Sequence, residues 1–152
     1  MTLRLHDTAT RSTRDFSPLL PGKVSIYVCG ATVQGAPHIG HARSAVCFDV
    51  LSRWLQFERC DVKLVRNVTD IDDKIINRAA AEGTTEPELA QRFEEVFVSE
   101  MDRLNILHPD HRPRATEYID QMIAVISDLV SRDMAYATDS GVYYAINNLD
   151  GY

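Results

Sequence analysis

Val24-Ser25-Ile26-Tyr27-Val28-Cys29-Gly30, followed after a short loop by His38-Ile39-Gly40-His41, is the stretch on which the fold turns. The β-rich run of residues 24–28 is preceded by Leu20-Pro21-Gly22 and stopped by Cys29 and Gly30, so it reads as a strand between turns. The loop beyond it contains Gly35 and Pro37. Residues 41–57 then place Ala45, Val46, Leu51, Trp54 and Leu55 near a period of 3.6, which predicts an amphipathic helix with those side chains inward. Residues 61–68, with Val62, Leu64, Val65 and Val68, predict a second strand. Strand, helix and strand in this order make a βαβ unit, whose strands run parallel and whose ligands sit beyond the carboxyl ends of the strands.

Further along the chain, residues 71–81 predict a helix ending at Gly83. Another begins at Thr85, with Glu88 as capping-box partner, and runs to about Leu104. Pro109 and Pro113 bracket a loop containing His108 and His111, which we read as loop residues without metal partners. Residues 116–133 carry Ile119, Met122, Ile123, Ile126, Leu129 and Val130 at helical spacing and predict a packing helix. Residues 134–146 predict two short strands about Thr138-Asp139-Ser140-Gly141, a hairpin foreign to a parallel sheet. The division expected is residues 1–113 and 114–152.

Composition narrows the class. The chain has 152 residues, 45% hydrophobic and 25% charged, which suits an ordinary globular domain. Its opening residues lack the apolar stretch of a secretory signal, and no apolar run approaches the length of a membrane span, so the expected location is cytoplasmic, without membrane contact. Cys29, Cys47 and Cys60 are an odd number at irregular spacing, which argues against a disulfide framework. A net charge of −6 does not by itself predict nucleic-acid binding; a basic surface for RNA would have to be local.

The chemistry concentrates at His38, Gly40 and His41, between the first strand and the helix it feeds. Backbone N–H groups and the helix dipole favour an anion there, and Gly40 carries no side chain to hold a nucleotide away. The imidazoles can donate hydrogen bonds to phosphate oxygens as charge builds during displacement at an α-phosphate. The competing reading is that two histidines simply cap a helix.

Taken together, His38-Ile39-Gly40-His41, residues 27–33 (Tyr-Val-Cys-Gly-Ala-Thr-Val) and residues 67–74 (Asn-Val-Thr-Asp-Ile-Asp-Asp-Lys) resemble the cysteinyl-tRNA synthetase family of class I aminoacyl-tRNA synthetases. The similarity continues through Pro113-Arg114-Ala115-Thr116. It implies a class I Rossmann-like α/β fold with a parallel sheet, of which this chain is the N-terminal part, followed by the start of an inserted connective region. It implies catalytic roles for His38 and His41, ATP or adenylate binding at Gly40, Ser44, Asn67 and Thr69, substrate binding at Gly30 and Thr32, and a zinc ligand at Cys29. The family's remaining zinc ligands and its second, lysine-rich signature lie beyond these residues, so the chain alone is expected to show no useful turnover. The implied partners are cysteine, ATP with magnesium, and tRNA(Cys).

Alternatives stand beside each of these. Cys29 also fits a small strand-end hydrophobe; Ser44, Asn67, Thr32 and Thr69 are ordinary turn and cap residues; and Asp70, Asp72 and Asp73 suit helix capping better than magnesium. Gln34 and Gly35 depart from a Tyr-Asp pair carried by many relatives, which bears on the substrate ammonium. The cysteine ligase of mycothiol synthesis shares the activating architecture and is a second reading; a non-catalytic nucleotide-binding fragment is a third.

Overall fold

In the computed structural model, which describes residues 3–149, the chain divides into two compact units, Met1–Pro113 and Arg114–Tyr152. The first opens with an antiparallel hairpin that the sequence reading did not anticipate, β1 (Arg4–Asp7) and β2 (Ser12–Asp15). Its strands carry too few apolar residues to signal burial. Crossed ion pairs tie it instead, Arg4 to Asp15 at 3.2 Å and Arg14 to Asp7 at 2.9 Å.

The expected βαβ unit follows. Strand β3 (Lys23–Val28) leads through helix α1 (Ile39–Phe57) to strand β4 (Asp61–Arg66), which pairs parallel to β3 from Lys23↔Asp61 to Val28↔Arg66. Burial is one-sided in β3: Val24 and Val28, with Leu64 in register between them on the same face, are buried, whereas Lys23, Ser25 and Tyr27 on the other face are exposed. Helix α1 departs from its predicted face. Ala45, Asp49, Ser52 and Leu55 are buried, whereas Val46 and Trp54 are 41% and 44% exposed. With Ile39, Val50 and Phe57 these form a second apolar stripe, so periodicity alone could not choose the inward side.

The proline-bracketed loop also proves to be more than a loop. Val65 and His111 form a parallel bridge, Arg66 N–H donates to the His111 carbonyl at 3.0 Å, and Val68 N–H donates to that of Pro113 at 2.9 Å. The Asp110 carboxylate accepts from Leu64 N–H at 2.6 Å. The segment thus satisfies the second edge of β4, and the prolines, which have no N–H to give, stand where none is used.

Helix α2 (Asp73–Glu82) starts two residues later than predicted, because the Asp72 side chain accepts from Lys74 N–H at 2.9 Å and caps it. It ends at Gly83 in the left-handed conformation, φ 66°. Helix α3 (Glu86–Arg103) is entered through Thr85, whose N–H donates to the Glu88 carboxylate at 3.2 Å. Val33, Val68, Ile75, Ala79, Leu89 and Ala90 form one core cluster under Phe93; Ala45, Met101 and Ile106 form another beside Phe97. These clusters anchor α2 and α3 beside the strand ends.

In the second unit the predicted helix is divided, a 3₁₀ turn Ala115–Tyr118 preceding helix α4 (Ile119–Ser131). The expectation that its apolar residues pack is not met: Met122, Ile123 and Ile126 are 43%, 55% and 41% exposed. Strands β5 (Ala135–Thr138) and β6 (Gly141–Tyr144) form the hairpin, joined through Asp139 and Ser140. No helix among the described residues is long and apolar enough to cross a membrane.

Candidate functional site

The start of α1 is built by its two histidines. His38 is the N-cap residue: its Nδ1 accepts from Gly40 N–H at 3.0 Å, and its own N–H donates to His41 Nδ1 at 3.1 Å. The pair is a capping box in imidazole form, with ring centroids 4.0 Å apart. The backbone donors expected to meet an anion are largely taken, since Gly40 N–H serves His38 and the N–H groups of His41 and Ala42 reach the His38 carbonyl. What remains follows from the chemistry of imidazole. A neutral ring that accepts at Nδ1 carries its proton on Nε2, so these hydrogen bonds leave each ring one Nε2–H to offer a ligand. Capping and phosphate contact are therefore compatible, because they use opposite edges of the ring.

Gly40 is needed by the cap itself. A Cβ there would lie 2.8 Å from Cε1 and 3.0 Å from Nδ1 of His38, forcing that ring off the helix end. The His41 pKa is lowered by desolvation and then by the neighbouring His38, which keeps the ring a neutral donor. Folding therefore weakens proton binding at His41 relative to the unfolded value of 6.5, and the cap's contribution to stability, complete above that pH, is lost as pH falls below it. His41→Gln, which keeps an N3 acceptor but does not titrate, is expected to flatten this loss. Urea midpoints at pH 7.5 and 5.5 test it; an equal drop in both proteins would remove His41 as the group responsible.

Strand ends supply the second wall. Beyond the regular ladder, Thr32 and Thr69 form an isolated parallel bridge, so residues 29–31 lie opposite only residues 67 and 68. The irregularity drives the Gly30 backbone against Asn67: Gly30 N–H donates to Asn67 Oδ1 at 2.7 Å, and a Cβ on Gly30 would lie 1.5 Å from the Asn67 carbonyl oxygen. Asn67 Nδ2 reaches Thr69 Oγ1 at 3.4 Å. Asn67 and Thr69 thus shape the strand ends through their own hydrogen bonds.

Cys29, Gly30, Ala31, His41 and Ser44 line one open crevice, with Arg66 and Phe97. The crevice is open to solvent, so these residues form a wall of a site more than an enclosure. Thr32 lies on the adjoining bridge, and Asn67 borders a neighbouring cavity together with Arg66 and Phe97. Arg66 and Phe97 were missed by the sequence reading. The signal for Arg66 was present: it occupies the position in step with Leu64 and Val68, where a buried apolar residue is expected, and it is only 8% exposed. At the departure from the family pattern, Arg78 Nη1 donates to the Gln34 carbonyl at 2.7 Å and would lie 2.9 Å from a Cβ at Gly35.

Cys29 is a free, exposed thiol at the end of β3, and among the described residues no group of three or more His, Cys, Asp or Glu side chains could hold a metal ion. One thiolate does not make a zinc centre. Zinc is not held by these residues alone.

The family described as tRNA synthetases class I (C) catalytic domain matches residues 15–152. Among solved structures, the chain is similar to Mycobacterium tuberculosis methionyl-tRNA synthetase in complex with methionyl-adenylate. That match has 25% identity and a TM-score of 0.65, over 75% of this chain and 22% of that one. The LeuRS–tRNA–LeuAMS ternary complex of Agrobacterium radiobacter K84 agnB2 is similar in fold, with 22% identity and a TM-score of 0.67 over 80% of this chain and 16% of that one. The chain therefore spans about a fifth of the length of these structures, and its α/β fold with parallel strands is theirs.

Proposed function

The chain belongs to the class I (C) family of tRNA synthetase catalytic domains, and on that premise we propose that it carries the first half of the site of a cysteine–tRNA ligase. The observation that carries this reading is the crevice in which a free thiol, Cys29, shares one wall with His41 and Ser44 at the start of α1. A relative bound to an aminoacyl-adenylate supports activation through an adenylate, and one bound to tRNA supports transfer.

In the proposed reaction a carboxylate oxygen of cysteine attacks the α-phosphorus of magnesium-bound ATP, and the bond to pyrophosphate breaks. The Nε2–H groups of His38 and His41 donate to phosphate oxygens as negative charge grows on them. Gly40 and Ser44 border the nucleotide, Asn67 and Thr69 hold the strand ends toward the adenylate, and Gly30 and Thr32 present backbone and hydroxyl to the amino acid. Cys29 would give one thiolate to a zinc ion completed by donors outside the described residues; that ion would supply selectivity for a thiol over a hydroxyl. The adenylate would then pass cysteine to the terminal adenosine of tRNA(Cys), in a cytoplasm that keeps the three thiols reduced.

The test is cysteine-dependent ATP–pyrophosphate exchange by the full-length enzyme, followed by transfer to tRNA. Cys29→Ser is expected to lose zinc and raise the KM for cysteine together. Stoichiometric zinc retained in that variant would sink the ligand assignment, and ligation of cysteine to an amino-sugar inositol instead of tRNA would assign the mycothiol branch.

A further inference from the structure

Adjoining the crevice, a small open cavity lies between α3 and the segment that follows it, with Arg66 and Arg112 both on its wall and His108 beside them. We propose that this cavity is a binding site for a phosphate-type oxyanion, gripped by the guanidinium groups of Arg66 and Arg112. The inference does not rest on the cysteine-activating reading, since neither Arg112 nor His108 has a part in it.

Arg66 is nine-tenths buried, yet its guanidinium makes no hydrogen bond within the described residues, and none of its nitrogens is sealed away unsatisfied. Its side chain lines this cavity and the two that adjoin it. A buried cation of this kind is costly without a paired anion. The carboxylate that acts on it, Asp49, is already engaged: Oδ2 accepts from Arg53 Nε at 2.8 Å and Oδ1 from Leu107 N–H at 2.8 Å. The second guanidinium adds to the cost, because Arg112 and burial both disfavour the charge on Arg66.

Other acids near the cavity are likewise committed. Asp102 pairs with His108 Nε2 at 3.1 Å, while His108 Nδ1 faces Arg112 Nη2 at 3.3 Å. Glu94, buried on the wall of an adjoining cavity with both arginines, is not without a partner of its own. The lining of the proposed site itself carries Arg66, Arg112 and His108 against the single carboxylate of Asp102, beside apolar Phe97, Met101 and Ile106. Two arginines on the wall of one cavity suit a phosphate, whose oxygens can accept from both guanidinium groups at once.

Calorimetric titration of the chain with inorganic phosphate tests the proposal. Saturable binding is expected, weakened at least about tenfold in Arg66→Gln and in Arg112→Gln. It should be unchanged in Arg43→Gln, an exposed arginine of α1. Circular dichroism checks that each variant is folded; if Arg66→Gln is not, the partly exposed Arg112 carries the comparison. No saturable binding at tens of millimolar phosphate would overturn the proposal, as would binding that survives Arg112→Gln. Loss in His38→Asn would move the anion to the start of α1 and overturn it too, and acetate binding as tightly as phosphate would overturn the phosphate assignment. Failure here would leave cysteine-dependent exchange intact, so the two readings are separable.

Discussion

Replacing Gly30 by alanine is expected to destabilise the chain by roughly 3–5 kcal/mol, a large share of the 5–15 kcal/mol that holds a typical domain together. The added Cβ would lie 1.5 Å from the Asn67 carbonyl oxygen, an impossible approach between two pieces of backbone. No rotamer change relieves it. The strand ends must separate, and the Gly30 N–H to Asn67 Oδ1 bond at 2.7 Å is lost with them. The damage should reach the crevice, since Cys29 and Ala31 move with Gly30. Urea unfolding of the variant gives the measurement, and a change of less than about 1 kcal/mol would show that the close approach is absent in solution. In the full-length enzyme, exchange activity should fall with it.

His38→Asn is expected to leave stability nearly unchanged and to cut cysteine-dependent exchange in the full-length enzyme by about 10²–10³, as removal of one preorganised donor to a developing oxyanion does. Asparagine is a strong N-cap residue, so its side chain can take over the hydrogen bond from Gly40 N–H. It cannot replace Nε2–H at the far edge of the ring. His38→Ala provides the contrast, because it should lose activity and also about 1 kcal/mol of stability as the cap goes. The two variants divide the roles that the capping box combines. Should His38→Asn retain full kcat, the histidine would be a cap and nothing more, and the phosphate role would have to be abandoned for that position.

Legibility in the sequence varied by element, for physical reasons. Strand β3, helix α1 and strand β4 could be read because alternation and helical periodicity are local, and their ends carried turn residues and caps. The proline-bracketed segment could not, since its pairing depends on Leu64, Arg66 and Val68 more than forty residues earlier. The β1–β2 hairpin escaped because exposed strands held by crossed ion pairs have no hydrophobic period. The inward side of α1 was misassigned in part because the helix is apolar on two sides, and only packing against Met101 and Ile106 selects Ala45 over Val46.

By itself the sequence determined the βαβ order, the histidine-flanked start of α1 and the placement of Cys29 at a strand end, because each is a property of neighbouring residues. Tertiary structure alone decided that His38 and His41 cap the helix through Nδ1, that Gly30 must be glycine because Asn67 lies against it, and that Arg66 is buried with Arg112 at one cavity. Those are contacts between segments distant along the chain or orientations of side chains within a turn, and no spacing of letters encodes that the Asn67 carbonyl fills the space a Cβ on Gly30 would need.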